Sequence, residues 1–250
     1  MSDHVSIIDE GPIRTVRMNR PDKKNALTAA MYQTMAIALE SANVDKDICC
    51  VVIAGAPGAF SAGNDLAEFA LAASSGEGLG TPVIRFLHAL ARSERPLVAA
   101  VQGLAVGVGT TMLLHCDYVV AGTDARFSTP FVSLGLVPEA ASSLLAPRLM
   151  GHRRAFELLV MGRPLDSAAA QACGLVSAVV APGDVEAWAM KAARDIAALP
   201  ADAVAASRRL MRAAPDDIVA RIDQVVLLFR ERLQSAEARG AFDAFLTRKR

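Results

Sequence analysis

Two stretches of this chain place glycines directly after an apolar run, and one acid stands in apolar company. The first stretch is Phe60-Ser61-Ala62-Gly63-Asn64-Asp65-Leu66, the second Gly103-Leu104-Ala105-Val106-Gly107-Val108-Gly109. Loops of this type present backbone N–H groups to a ligand. Two such groups brought together would stabilise a developing oxyanion with no side chain involved. Turns that need a positive φ explain the same glycines, and spacing does not separate the two readings. The acid is Glu139, in Leu134-Gly135-Leu136-Val137-Pro138-Glu139-Ala140. Proline and glutamate are ordinary residues of a helix's first turn. A carboxylate with apolar neighbours also acquires a raised pKa and becomes a usable base.

Other chemistry finds less support. His88, His115 and His152 are scattered, with no serine or carboxylate spacing that marks a triad, and they read as packing or surface residues. Cys49, Cys50, Cys116 and Cys173 include no CxxC and no metal-ligand spacing. They read as core cysteines of a reducing compartment. Neither GxSxG, nor GxGxxG after the first strand, nor GxxxxGK[ST] is present, so no metal, nucleotide or redox cofactor is expected.

The elements that must position these loops follow from length and pattern. At 250 residues the chain makes one large domain or two modest ones, and 53% apolar against 21% charged residues excludes a disordered chain. Lys plus Arg equals Asp plus Glu at 26 each, which argues against broad nucleic-acid binding. The N-terminus has acids early and no apolar signal region, and a cytoplasmic location is expected. Leu97 to Leu114 carries no charge, but Gln102 and its glycines mark a buried element rather than a membrane span.

Val5 to Asn19 reads as a hairpin, and Cys49–Gly55, Leu97–Gln102 and Tyr118–Gly122 as buried strands, with a very short strand at Ala125–Ser128. The first helix runs to about Ala42, capped by Thr28 or Asn25. Further helices are expected at Pro82–Arg92, Thr110–Leu114, from Pro138 through Leu149, and at Arg153–Met161, Ser167–Ala172, Asp184–Leu199 and Ala201–Ala214. Asp217 to Leu246 reads as two helices broken near Gly240. Alternation of strand and helix to about Val180, then helix alone, describes an α/β core with a helical C-terminal region. The division is expected at residues 1–190 and 191–250.

Taken together, these motifs are similar to those of a known family. Asn19-Arg20-Pro21 with Asn25-Ala26-Leu27, the loop Gly58 to Leu66, and the run Pro96 to Gly109 stand in family order. Cys116-Asp117, Ala125-Arg126-Phe127, Leu134-Gly135, Ala168 to Val176 and the tail Ser235 to Arg250 follow. The chain resembles, end to end, the crotonase or enoyl-CoA hydratase/isomerase superfamily. The resemblance implies a spiral of repeated ββα units, a homotrimer or dimer of trimers, and an acyl-CoA thioester as substrate. It implies that the N–H groups of Ala62 and Val108 hold the thioester carbonyl. Lys23, Lys24, Arg248 and Lys249 would meet the CoA phosphates, with Phe245 in the same tail. Ala62, Asp65 and Leu66 would line the pantetheine and adenine region.

Departures from the family pattern bear on the reaction. Hydratases of the family use two glutamates, and the corresponding positions here are Thr111 and Phe131, neither of which can act as a carboxylate base. The stretch Thr129 to Ser143, with its Pro138-Glu139 step, resembles instead the peroxisomal-type Δ3,Δ2-enoyl-CoA isomerases. On that resemblance Glu139 is the base of a proton transfer from C2 to C4. Val108 stands where the family commonly has glycine, and a branched side chain there is expected to narrow the pocket or shift the loop. An atypical hydratase, another acyl-CoA lyase or thioesterase, and a non-catalytic CoA-ester-binding homologue are the alternatives.

Overall fold

The computed structural model describes residues 2–65, 67–68, 78–212 and 214–241. Among the described residues ten strands form two sheets. The first hairpin is β1 (Val5–Glu10) with β2 (Ile13–Met18), antiparallel. Beside it lie, all parallel, β3 (Cys50–Gly55), β5 (Leu97–Val101), β7 (Tyr118–Gly122) and β10 (Ala178–Val180), in the order β1-β2-β3-β5-β7-β10. A smaller sheet, β4-β6-β8-β9, is built from β4 (Ala59–Ser61), β6 (Leu104–Val106), β8 (Arg126–Ser128) and β9 (Leu165–Asp166). After each of β3, β5 and β7 the chain crosses directly into the small sheet. This is the ββα spiral that the resemblance implies.

The continuous apolar strands are explained by burial on both faces. Val51 and Ile53 of β3, with Leu97 and Ala99 of β5, point into the main core, where α1 (Ala29–Val44) and α2 (Thr81–Ala91) cover them. Cys50, Val52 and Ala54, with Val98 and Ala100, point the other way, against Val185, Ala189 and Ala193 of α7 (Val185–Ala197). Residue 190 lies inside α7, so the expected division of the chain cuts a helix that packs on the sheet. The helices that follow are α8 (Ala201–Met211) and α9 (Pro215–Leu233).

Three expectations are corrected. The Gly103–Gly109 segment is not only a turn, because β6 forms inside it before α3 (Val108–Thr111) and the 3-10 turn Met112–His115. The helix expected from Pro138 begins at Ser142, as α4 (Ser142–Met150), because Ala140 and Ala141 adopt positive φ of 58° and 52°. The C-terminal break falls at Gln234-Ser235, and Gly240 lies within helical residues 236–241. Between β8 and the C-terminal region lie α5 (His152–Leu159) and α6 (Ser167–Ala172). Among the described residues no helix is long and apolar enough to cross a membrane.

Candidate active site

The opening motif and the first glycine loop form one structural unit. Asn25, buried and with φ 55°, accepts from the Arg20 N–H at 2.8 Å and donates from Nδ2 to the Ala59 carbonyl at 2.7 Å. Arg20 reaches Asp65 at 2.6 Å, and Leu27 bridges to Asn64. Burial alone would raise the Asp65 pKa, but Arg20 and the N–H groups of Glu68 and Ala67 hold it below the usual carboxylate value. Asp65 therefore fastens this loop to the motif. Thr28, rather than Asn25, caps α1, its side chain accepting from the Met31 N–H.

The pairing of loop and motif corrects one expected donor. The Ala62 N–H is already used, donating to the Lys24 carbonyl at 2.9 Å, and the Gly63 N–H donates to Ser61 Oγ at 3.1 Å. No described residue accepts from the N–H of Asn64. The free donor of this loop is thus two residues beyond Ala62. Tyr32, fully buried in α1, donates its hydroxyl to Asn64 Oδ1 at 2.5 Å and so fixes the residue that carries it.

The second loop lies directly against the first. β4 and β6 pair in parallel, and a Cβ on Gly63 (φ +86°) would stand 2.9 Å from the Val106 carbonyl. Gly109 has the same constraint, since its Cβ would stand 3.0 Å from Ser61. Val108 between them does not. Its side chain packs in the main core. At the first position of α3, where a helix leaves its N–H groups unpaired, the Val108 N–H also has no acceptor among described residues.

Glu139 completes the site. It is 1% exposed and is the one acid in the buried class among the described residues. Its Oε1 accepts from Thr111 Oγ1 at 2.5 Å, while Oε2 is buried with no hydrogen-bond partner. Thr111 follows Val108 by three residues on α3, on the same helix face. Burial pushes the Glu139 pKa up to about 7, opposed by the Thr111 hydrogen bond. Tyr32 senses the same carboxylate: burial first, and then the Glu139 charge, raise its pKa well above normal. Phe131 reaches over Gly107, 3.9 Å from where a Cβ would be, and packs with Leu79, Leu136, Phe229, Leu233 and Ala238. Residues of α9 and of the segment after it therefore pack against Phe131.

Other expected residues stand apart. Lys23 and Lys24 are exposed on the turn beside the first loop. Leu66, Phe245, Arg248 and Lys249 lie outside the described residues. Burial pushes the Cys50 and Cys116 thiols up to about 12, so both stay protonated, as core cysteines do. Among the described residues no cluster of His, Cys, Asp and Glu has the arrangement of a metal site. Sequence reading missed Asn64 and Tyr32. The first lay inside a quoted motif; the second carried no local signal.

Two sheets in a ββα spiral, with two glycine loops side by side, are the arrangement of the crotonase fold. The chain belongs to the enoyl-CoA hydratase/isomerase family, whose model matches residues 9–250. It is 36% identical over 253 residues to enoyl-CoA delta isomerase 2 of Rattus norvegicus, covering 99% of this chain and 64% of that protein. It is 34% identical to a probable enoyl-CoA hydratase of Rhizobium meliloti (strain 1021), over 77% of this chain and 75% of the relative. An enoyl-CoA hydratase/isomerase from Pseudoalteromonas atlantica T6c has the same fold, with TM-score 0.92, 39% identity and 98% of each chain covered.

Proposed function

We propose that this protein is a Δ3,Δ2-enoyl-CoA isomerase, moving the double bond of a 3-enoyl-CoA thioester to the 2-position. The observation that carries the reading is a buried carboxylate with an unbonded oxygen, the one such acid among the described residues, where water addition would call for a pair. The rat relative's name supports it.

Glu139 Oε2 takes a proton from C2, and the charge of the resulting dienolate gathers on the thioester oxygen. The N–H groups of Asn64 and Val108 receive that charge as it develops, which is where donors accelerate a reaction. Protonated Glu139 returns the proton to C4 on the same face. Phe131 and Leu136 exclude water and so disfavour hydration. Lys23 and Lys24, with Arg248, Lys249 and Phe245 of the tail, are proposed to hold the CoA end.

Assembly is part of the proposal. Helix α8 buries none of its residues, and Leu210 and Met211 are 88% and 87% exposed. A partner copy would cover such a face, and light scattering is expected to give a trimer or a multiple of one.

The test is the absorbance of the conjugated thioester on 3-hexenoyl-CoA and 2-hexenoyl-CoA. A rise on the first supports isomerisation; a fall on the second means hydration, and silence on both means the reaction is another. Since the base works as a carboxylate, kcat/KM, which follows the free enzyme, is expected to rise with pH through about 7. Thr111→Val removes a donor that favours the charged form, so its midpoint is expected above the wild-type value. A midpoint unchanged in that variant would separate the pH dependence from Glu139.

A further inference from the structure

We propose that His115 is a positioning residue for Glu139, its Nε2–H holding the Ala140 carbonyl and with it the backbone kink that turns the carboxyl onto Thr111. This rests on the reading of Glu139 as the base. His115 closes the 3-10 turn that follows α3, is 1% exposed, and has Nε2 2.9 Å from the Ala140 oxygen. A carbonyl only accepts, so Nε2 carries the proton and the tautomer is fixed. Nδ1 is then an acceptor, buried and without a partner.

A buried ring with an unsatisfied nitrogen is destabilising compared with an apolar side chain of similar size. The cost is explained by what the other nitrogen does. Ala140 and Ala141 both adopt left-handed φ, which Cβ sterics disfavour, and neither is a glycine. Ser142 steadies the kink locally, its Oγ donating to the Glu139 carbonyl at 2.6 Å. His115 is the grip that comes from another element.

That element is the one that carries the oxyanion donor. Thr111 and His115 are four residues apart on one continuous helical run beginning at Val108. Thr111 holds the side chain of Glu139, and His115 the main chain of its neighbour. The pair therefore fixes the base relative to the Val108 N–H. Burial, with the Arg212 charge adding to it and the Ala140 bond opposing, pushes the His115 pKa down to about 4. The ring stays neutral while Glu139 titrates. His115 is also among the residues that line a cleft of about 870 Å³ between α4 and α8.

Three variants separate donor, volume and polarity. In His115→Gln the amide nitrogen takes the place of Nε2 along the side chain. His115→Asn reaches only as far as Nδ1, and His115→Leu keeps volume without a donor. The readout is the infrared titration of the Glu139 carboxyl, recognised as the band absent from Glu139→Gln, and needs no substrate. Wild type and His115→Gln are expected to titrate at about 7, and the other two to move toward 4.5 as the relaxed segment lets water reach the carboxyl. Turnover by these two is expected to fall roughly 100-fold in kcat with KM little changed, and His115→Gln to stay near wild type.

Titration and turnover like wild type in His115→Leu and His115→Asn would overturn the inference. So would a His115→Gln variant as impaired as they are, or loss of folding by both, which would make His115 a residue of the core alone. If wild type turns over no 3-enoyl-CoA but the titrations shift as described, the inference stands and the isomerase reading falls.

Discussion

Glu139→Gln is expected to lower kcat on a 3-enoyl-CoA by about 10²- to 10⁴-fold, the range over which a positioned general base contributes. Glutamine has the same shape, and its carbonyl oxygen can still accept from Thr111 Oγ1, so the hydrogen bond at 2.5 Å survives. What disappears is the capacity of the unbonded oxygen to take a proton. The same substitution is expected to stabilise the fold, and in a pH-dependent way. Because burial raises the Glu139 pKa from 4.5 to about 7, the folded chain holds this proton more tightly than the unfolded chain. That contribution is complete below 4.5 and is lost as pH rises through about 7. Thermal unfolding of Glu139→Gln should therefore exceed wild type by more above neutrality than in mild acid. Activity and stability move in opposite directions with pH, as expected of a base kept out of water. Wild-type turnover in the variant would remove Glu139 from the mechanism.

Val108→Pro is expected to cost about 10²- to 10³-fold in kcat, the loss associated with removing one oxyanion donor. Proline lacks the N–H but suits the first position of a helix, where that N–H has no intrahelical partner. Val108 holds that position in α3. Gly107 before it, at φ 57° and ψ −120°, lies outside the helical region that a following proline disfavours. Circular dichroism should show the fold retained, and acyl-CoA affinity should change far less than turnover. Equal losses in both would mean that the loop had moved rather than lost a donor. Val108→Gly, with the N–H kept, is the control and should remain active.

How much of this was legible in the sequence depended on range. Strands β3, β5 and β7 were read within a residue or two, because a parallel strand buried on both faces is written in its own apolar run. Glu139 stood out locally as an acid in apolar company, and it is buried on Thr111. The first loop's donor was misplaced from Asn64 to Ala62, because which N–H is free depends on the Lys24 carbonyl, 38 residues earlier. Pro138-Glu139 carried the marks of a helix start, yet the helix waits until Ser142. Two consecutive alanines with positive φ have no local signature, and the one long-range bond to them among the described residues reaches the Ala140 carbonyl from His115. His115 looked like packing because its partner, Ala140, is 25 residues away and offers only a carbonyl. Val108 looked like an intruder among glycines until its side chain was seen to face the core.

From β2 onward, each strand of the larger sheet lies beside the strand of that sheet laid down just before it in the sequence. The sheet can therefore grow at a single edge while the chain leaves the ribosome, each new strand docking on a template already in place. No strand has to be inserted between two that are already paired, a step that would call for reopening a ladder. Synthesis at roughly 5–20 residues per second leaves seconds between successive strands, long on the scale of local folding. Both N–H-bearing loops would be in place before Glu139 emerges, and the apolar wall contributed by Phe229 and Leu233 would arrive afterward. Until then Phe131 and Leu136 would lack that cover, so a chain paused before residue 229 would display apolar surface prone to aggregation.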